Sequence, residues 1–127
     1  EQVALRAADH VVWMHPLYWY GPPALLKQWF EKVLVDGFAY GERQALRGKG
    51  CLWVTTTGGG EYARGGRHDH AFADFVPPVE MTARYCGMRW LEPFVVHDPA
   101  HRPDEDLRAQ GLRLRERLAA LGQGTGR

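Results

Sequence analysis

The sequence contains only two cysteines, no apolar run long enough to span a membrane, and almost no net charge. Cys51 and Cys86 do not form a Cys-x-x-Cys pair, so we interpret them as buried thiols of a cytosolic protein; their spacing does not support a disulfide or a metal site. A membrane-spanning helix needs about 20 consecutive apolar residues, and no such run is present. With 16 basic and 15 acidic residues the net charge is +1, without the basic stripe typical of nucleic-acid-binding proteins.

The chain also lacks an initiator methionine, and its first residues have the pattern of the end of a helix that leads into a strand. We therefore expect sequence upstream of Glu1 in a longer parent protein. At 127 residues the chain is long enough for one domain, which we place at residues 1–127, with residues 122–127 as a disordered tail.

Three apolar segments predict the strands of a sheet: residues 11–15, 51–55 and 90–97. The first shows no polar alternation, which is typical of a strand covered on both faces. Pro93 in the third removes a backbone donor and predicts a strand at a sheet edge. Helices are predicted from residue 22 or 23 to about 36, over about 79–86, and over 103–121, each followed by a glycine. This alternation predicts an α/β fold with a parallel sheet.

Two unusual loops follow the first two strands: YWYGPP at residues 18–23 and TTGGG at residues 56–60. Ligands of parallel sheets bind beyond the carboxyl ends of the strands, where both loops lie. A single aromatic residue there is better explained by packing between helix and sheet or by a dimer contact. Together, the aromatic loop and the glycine loop favour a planar cofactor, whose polar edge we expect to meet the backbone N–H groups of residues 17–20.

The glycine loop by itself is a weak signal, since glycine-rich turns are more often structural than functional. Its three glycines allow a close approach of the backbone to a ligand. The loop has neither the Lys-Ser/Thr of a P-loop nor the spacing of GxGxxG, so binding of a nucleoside triphosphate is poorly supported.

A family resemblance extends this interpretation. The segment HPLYWYGPPALLKQWFEKVLVDGFAYG, followed by ALRGK and VTTTGGGE, resembles the flavodoxin-like NAD(P)H:quinone oxidoreductases, the family of DT-diaphorase. TARYCGMRWLEPFVVH is similar to the bacterial subgroup of ancillary proteins of glutathione-regulated potassium efflux. The resemblance covers residues 8–96 and implies a flavodoxin-like three-layer α/β fold, with strand order 2-1-3-4-5 in the parent, that holds FMN, or FAD in longer relatives.

The resemblance also implies roles for individual residues. NAD(P)H, as co-substrate, would reduce the flavin and leave before a quinone accepts two electrons. The residues expected to surround the isoalloxazine ring are Pro16, Leu17, Tyr18, Trp19 and Tyr20 on one loop, and Thr56, Thr57, Gly58 and Gly59 on the other.

The candidate catalytic residues lie just after the glycine loop, where family members carry a Tyr and a His that assist charge movement. Tyr62, His68 and His70 occupy this region. His68 and His70 lack a third ligand, so the alternative of a metal site is weak and we expect none. We interpret His15 as a structural hydrogen-bonding residue, and we expect His97 and His101 at the surface.

The chain departs from the family at the phosphate site. Relatives bind the FMN phosphate through a first strand and the loop that follows it, and nothing in this sequence matches these two segments. Residues 11–15 would then form an apolar sheet edge. We expect such a fragment to hold FMN weakly, because charged phosphate contacts usually dominate anchoring.

Three functions fit these observations. The leading one is an FMN-dependent quinone oxidoreductase, expected as a homodimer in the cytoplasm. The alternative is a regulatory subunit that activates a potassium/proton antiporter and lies at the inner face of the membrane through that partner. An electron carrier is less favoured, since flavodoxin-type carriers are strongly acidic and this chain is not.

Overall fold

The computed structural model describes residues 1–124, and within that range the chain forms four strands and four α-helices. In chain order the elements are α1 (Gln2–Ala7), β1 (His10–Pro16), α2 (Ala24–Val33), β2 (Gly50–Thr57), α3 (Pro77–Tyr85), β3 (Arg89–Trp90), β4 (Phe94–His97) and α4 (Asp104–Gln123). Among these helices, none combines the length and the hydrophobicity that crossing a bilayer requires.

The sheet is parallel and is organised around β2. β1 pairs with one side of β2, in a register that runs from His10 opposite Gly50 to Pro16 opposite Thr56. β3 and β4 both pair in parallel with β2. The predicted parallel α/β sheet is therefore confirmed. The third predicted strand is divided in two around Pro93, which lacks a ladder donor, and it lies at the sheet edge as expected.

The main core lies on one face of the sheet, against α2 and α3. Trp13 and Trp53 are opposite each other on β1 and β2 and are almost completely buried. The Trp13 ring contacts Phe30 of α2, with ring centroids 4.8 Å apart. Val79 and Ala83 of α3 extend the same cluster. Burial of these aromatic rings holds the two helices against the sheet and fixes the loops that precede them.

The prediction that residues 11–15 are covered on both faces was wrong. Burial alternates along β1, and Val12 and Met14 are 39% and 60% exposed. Two features of the described residues explain this. β1 pairs only with β2, so its other edge is free. On the outward face, a cavity of about 420 Å³ separates Met14 and Val54 from Leu107 of α4.

The helix ends differ from prediction in two places. α2 ends at Val33, and Gly37 instead serves the following loop, with a φ of +74°. α4 continues to Gln123, two residues beyond the expected end, so the expected disordered tail begins within a helix. Residues 125–127 of that tail lie outside the described residues. α3 ends before Gly87, as predicted, and this glycine has a φ of +76°.

Candidate functional site

The two unusual loops lie side by side at the carboxyl edge of the sheet. The Leu17 N–H donates to the Thr56 carbonyl at 2.8 Å, which extends the pairing of β1 and β2 to the start of both loops. A cleft of about 200 Å³ opens between them. The residues that line it are Leu17, Trp19, Tyr20, Gly58, Gly59, Tyr62, Arg67 and His68.

The aromatic loop is a tight, strained turn. Tyr18 and Gly21 exchange two backbone hydrogen bonds, of 2.9 and 3.0 Å. The two residues between them have positive φ angles, 48° for Trp19 and 66° for Tyr20. This left-handed conformation costs non-glycine residues about 1–3 kcal/mol each, and such strain is concentrated at functional sites. The turn presents the Trp19 indole to solvent at 95% exposure, as one wall of the cleft.

The turn also decides which backbone N–H groups can reach a ligand. We expected the N–H groups of residues 17–20 to be available, but those of Leu17 and Tyr18 donate to Thr56 and Gly21. Within residues 1–124, the N–H groups of Trp19 and Tyr20 have no acceptor. The available donors are therefore the two in the strained conformation.

Tyr20 links the aromatic loop to the segment that follows the glycine loop. Its ring stacks on Phe75 with centroids 5.1 Å apart, and a hydrogen bond of 3.2 Å joins its hydroxyl to Nδ1 of His68. His68 stacks in turn on Tyr62, with centroids 4.2 Å apart and an interplanar angle of 19°. Burial and the nearby Tyr20 phenol raise the pKa of Tyr62 above its usual value, so its hydroxyl stays protonated near neutral pH.

His68 has one nitrogen that the protein does not satisfy. Its Nε2 atom is buried and has no hydrogen-bond partner in the described part of the chain. A buried polar atom of this kind costs about 1–3 kcal/mol unless a ligand or water supplies a partner. A Cβ placed on Gly59 would lie 3.8 Å from this atom, so the glycine loop and His68 Nε2 face the same space.

His97, which we expected at the surface, is instead half-buried behind the site. The Thr57 hydroxyl donates to the Gly59 carbonyl at 2.6 Å and lies 2.9 Å from His97 Nδ1. The His97 ring also stacks on Tyr62, with centroids 5.4 Å apart. Burial, together with the Arg102 guanidinium, lowers the pKa of His97. Sequence reasoning missed this residue because its partners are about 40 positions away in the chain. His101 is exposed as expected.

His15 was expected to be a structural hydrogen-bonding residue, and the structure confirms this. The Trp53 indole N–H donates to His15 Nε2 at 2.7 Å, so the neutral ring carries its proton on Nδ1 and donates to the Pro16 carbonyl at 2.9 Å. The Thr55 hydroxyl donates to the His15 carbonyl at 2.7 Å. Burial lowers the pKa of His15, which favours this neutral form.

The predicted site residues are not all in the cleft. Leu17, Trp19, Tyr20, Gly58, Gly59, Tyr62 and His68 line it. Thr57 is buried directly behind it, whereas Pro16 and Thr56 line the cavity beneath α4, and Tyr18 is exposed outside the lining. His70 also lies outside the lining, with its Nδ1 3.0 Å from the His68 carbonyl. Arg67 lines the cleft and was not predicted.

The cleft fits the edge of a planar heterocycle. Trp19 supplies a flat wall. Among residues 1–124, the N–H groups of Trp19 and Tyr20 and His68 Nε2 have no hydrogen-bond partner, and no atom lies within 4 Å of a Cβ placed on Gly58, so the space beside this glycine is open. Complete small-molecule pockets usually have about 300–1,000 Å³, so this smaller cleft would hold part of a ligand and leave one face open. Within residues 1–124, no three His, Cys, Asp or Glu residues cluster as metal ligands.

Comparisons with known proteins agree on the fold. The family profile Flavodoxin_2, described as a flavodoxin-like fold, matches residues 1–118. The ancillary protein KefF of the glutathione-regulated potassium-efflux system of Klebsiella aerogenes is 49% identical over 119 residues, which cover 93% of this chain and 67% of KefF. This chain therefore spans about two thirds of the length of that relative.

Three solved structures are also similar. An NADPH-quinone reductase from P. pentosaceus has a TM-score of 0.81 at 31% identity, over 86% of this chain and 66% of its own. General stress protein 14 of Treponema denticola, in complex with FMN, has a TM-score of 0.80 at 31% identity, over 96% and 70%. A structure named as a thermophilic tryptophan halogenase from Streptomycin violaceusniger has a TM-score of 0.86 at 33% identity, over 91% and 69%. The three structures carry different functional names, so what they jointly support is the fold.

Proposed function

Because this chain belongs to the family with a flavodoxin-like fold, we propose that it is an FMN-dependent NAD(P)H:quinone oxidoreductase. The observation that carries the proposal is the cleft in which the strained aromatic turn meets the glycine loop, with His68 Nε2 buried there and without a partner among the described residues. An FMN complex and a quinone reductase among the similar structures support the same cofactor and chemistry.

The two loops would hold the flavin ring system between them. Trp19 would lie against the ring system, the N–H groups of Trp19 and Tyr20 would be available as donors to its polar atoms, and Gly58 and Gly59 would leave room for it beside the backbone. When bound, the flavin supplies two-electron hydride chemistry between a reduced nicotinamide and a quinone. Leu17 and Trp19, which line the cleft, would help to exclude water when a ligand is bound.

His68 and Tyr62 are the proposed catalytic residues. With the Tyr20 hydroxyl as donor to His68 Nδ1, the neutral imidazole carries its proton on Nε2, and this N–H would donate a hydrogen bond to a quinone oxygen and stabilise the negative charge that develops there. Tyr62 lies parallel to this imidazole and restricts its rotation. His70 is the third candidate; its Nδ1 lies within hydrogen-bond distance of the His68 carbonyl.

The test uses this chain with added FMN, since we expect weak retention during purification. FMN fluorescence is titrated with protein, and oxidation of NADH and of NADPH is then followed with a soluble benzoquinone as acceptor. Saturable quenching of the fluorescence and quinone-dependent oxidation are expected. Quenching without oxidation would contradict the enzymatic function, and the absence of both would contradict flavin binding as well.

We also propose that the protein acts as a homodimer through the α2–α3 face. Met81 and Tyr85 of α3 are 68% and 69% exposed and line a cavity of about 500 Å³ between α2 and α3, and exposed apolar side chains that lie together mark interaction surfaces. A second copy would cover them and close the open side of the cleft at Trp19. Light scattering should give a dimer mass for the wild type and a monomer mass for M81K; a monomeric wild type would contradict this.

A second candidate function is regulation of potassium efflux, because a relative at 49% identity is named as an ancillary protein of such a system. In this function the chain would bind a potassium/proton antiporter, with or without turnover of the flavin. Co-purification with an antiporter from the source organism, and its loss when the protein is denatured, would support this role. Failure to bind would leave the enzymatic function as the better account.

A further inference from the structure

The Thr57 hydroxyl fixes the hydrogen-bonding role of His97. A hydroxyl has one proton, and Thr57 uses it to donate to the Gly59 carbonyl, which can only accept. The His97 Nδ1 atom, 2.9 Å from the same hydroxyl oxygen, must therefore be the donor. This gives a chain of two hydrogen bonds, from His97 through Thr57 to Gly59, that ends in the wall of the cleft.

The His97 ring has a second contact that leads to the site. It stacks on Tyr62 at an interplanar angle of 29°, while His68 stacks on Tyr62 at 19°. Phe72 supports the His97 ring edge-on. Tyr62 is thus held between two imidazoles, one behind it and one in the cleft.

The surroundings of His97 keep it in place and uncharged. Arg102 donates from Nε to the His97 carbonyl at 2.6 Å and is itself paired with Asp106. The neighbouring Asp98 pairs with His101 and donates its N–H to the Thr57 carbonyl, so β4 is tied to β2 up to its last residue. Burial and the positive charge of Arg102 both disfavour a protonated ring, which matches a neutral imidazole that donates from Nδ1.

From these contacts we propose that His97 is a positioning residue for the site: it holds the Thr57–Gly59 turn through its Nδ1–H and holds Tyr62 through its ring face. This proposal rests on the proposed function, since it takes the cleft to be a flavin-binding site. It adds that one residue, which touches neither flavin nor quinone, sets both the flavin-binding wall and the orientation of the Tyr62–His68 pair.

The two contacts can be separated with two variants. H97F retains an aromatic ring against Tyr62 but loses the donor to Thr57, whereas H97N retains a donor near the position of Nδ1 but loses the ring. We expect H97F to raise the dissociation constant for FMN about five- to tenfold, the loss of roughly one hydrogen bond, with little change in kcat at saturating FMN. We expect H97N to bind FMN within about twofold of the wild type and to lower kcat about three- to tenfold, since Tyr62 is no longer supported.

A double-mutant cycle tests the route through Thr57. In a T57V background the hydroxyl is absent, so adding H97F should produce no further loss of FMN affinity. Additive losses would contradict the proposal. Equal changes of FMN affinity and kcat in H97F and H97N, or no change in either variant, would contradict it too, because a purely structural residue would not separate the two quantities.

Amide hydrogen exchange provides a readout that does not depend on flavin. The amides of Gly59 and Gly60 should exchange faster in H97F than in the wild type and H97N, at a pH where all three proteins are folded. If the wild type fails to bind FMN but this exchange pattern is seen, the proposed function fails and the positioning role stands. Unchanged exchange in H97F would overturn the positioning role itself.

Discussion

His68 lies parallel to Tyr62, with ring centroids 4.2 Å apart, while its Nδ1 atom is 3.2 Å from the Tyr20 hydroxyl. The imidazole is therefore held on one face and at one nitrogen, and the other nitrogen, Nε2, is left buried in the cleft. This combination of restraint and an unused polar atom is the basis of the catalytic role proposed for His68.

Removing the His68 ring should affect turnover more than any other change at this site. H68N keeps a polar group near Nδ1 and loses Nε2, so we expect kcat to fall about 100-fold, the usual loss when one hydrogen-bond donor to a developing negative charge is removed. Y20F, which removes only the hydrogen bond to Nδ1, should lower kcat less than H68N does. H70N should also lower kcat less than H68N does. Steady-state oxidation of NAD(P)H with a benzoquinone measures all three. A wild-type kcat in H68N would contradict the assignment.

Gly58 and Gly60 form a matched pair for testing the position of the ligand. Within the described part of the chain, a Cβ on either residue would meet no atom within 4 Å, so neither alanine should change stability through a clash. Only Gly58 lines the cleft, and its new methyl group would occupy space that the ligand needs. We expect G58A to weaken FMN binding about tenfold and G60A to leave it near the wild-type value. Equal effects of the two variants on FMN affinity would contradict the proposed placement.

The strained turn predicts opposite effects of one substitution on stability and binding. Asparagine adopts positive φ angles more easily than tryptophan, and Trp19 is too exposed to lose packing. W19N should therefore raise the free energy of unfolding by up to about 1 kcal/mol, measured in urea. The loss of the indole should weaken FMN binding about tenfold. A variant that is less stable, or that binds FMN normally, would be inconsistent with this account of the turn.

Trp29 provides the contrast to Trp19. It packs against the core, contacts the Phe30 ring and donates its indole N–H to the Glu1 carboxylate at 3.0 Å. W29A should cost about 2 kcal/mol or more of stability, through loss of packing. FMN affinity should change less than in W19A under conditions where both variants are folded. The reverse ranking of affinities would show that the aromatic turn does not cover the ligand.

The buried His15 predicts that stability falls on acidification. Because burial lowers the pKa of His15 in the folded protein below the ordinary histidine value of 6.5, the unfolded chain binds the proton at a higher pH. Stability therefore rises with pH between the lowered pKa and 6.5 and is lost as the pH falls through that window. His97 contributes with the same sign.

In H15Q the amide oxygen can still accept from the Trp53 indole, but no group titrates there. Urea midpoints at about pH 7.5 and pH 5.5 should differ less in H15Q than in the wild type. At the higher pH, loss of the bond to the Pro16 carbonyl should cost about 1 kcal/mol. If H15Q retains the full pH dependence of the wild type, the proton is taken up elsewhere.

Much of the fold follows from local pattern. The apolar runs of β1 and β2 and the order of strands and helices are enough to predict a parallel sheet, and Pro93 is enough to predict an edge. The exposure of the outward face of β1 could not be predicted, because it depends on which elements cover Val12 and Met14 rather than on the hydrophobicity of these residues. The loop between α2 and β2 buries Phe38, Ala39 and Leu46 without regular structure, which no periodicity reveals.

For the site, too, some features could be predicted from the sequence and others could not. The two loops could be found because parallel strands deliver them to one edge, and Tyr62 and His68 because of the family resemblance. The strained φ angles of Trp19 and Tyr20 could not be predicted, since both residues disfavour that conformation. The position of His97 behind the cleft could not be predicted either, because it depends on the register that brings the end of β4 beside Thr57.

The central claim is that a flavin lies between the turn at Trp19 and Tyr20 and the turn at Gly58 and Gly59. Amide chemical shifts recorded by ¹H–¹⁵N NMR during an FMN titration test it most directly. We predict saturable changes that are largest at these four residues and at His68. Saturable changes that are largest beneath α4, around Leu107 and Leu114, or no saturable change at all, would contradict the claim.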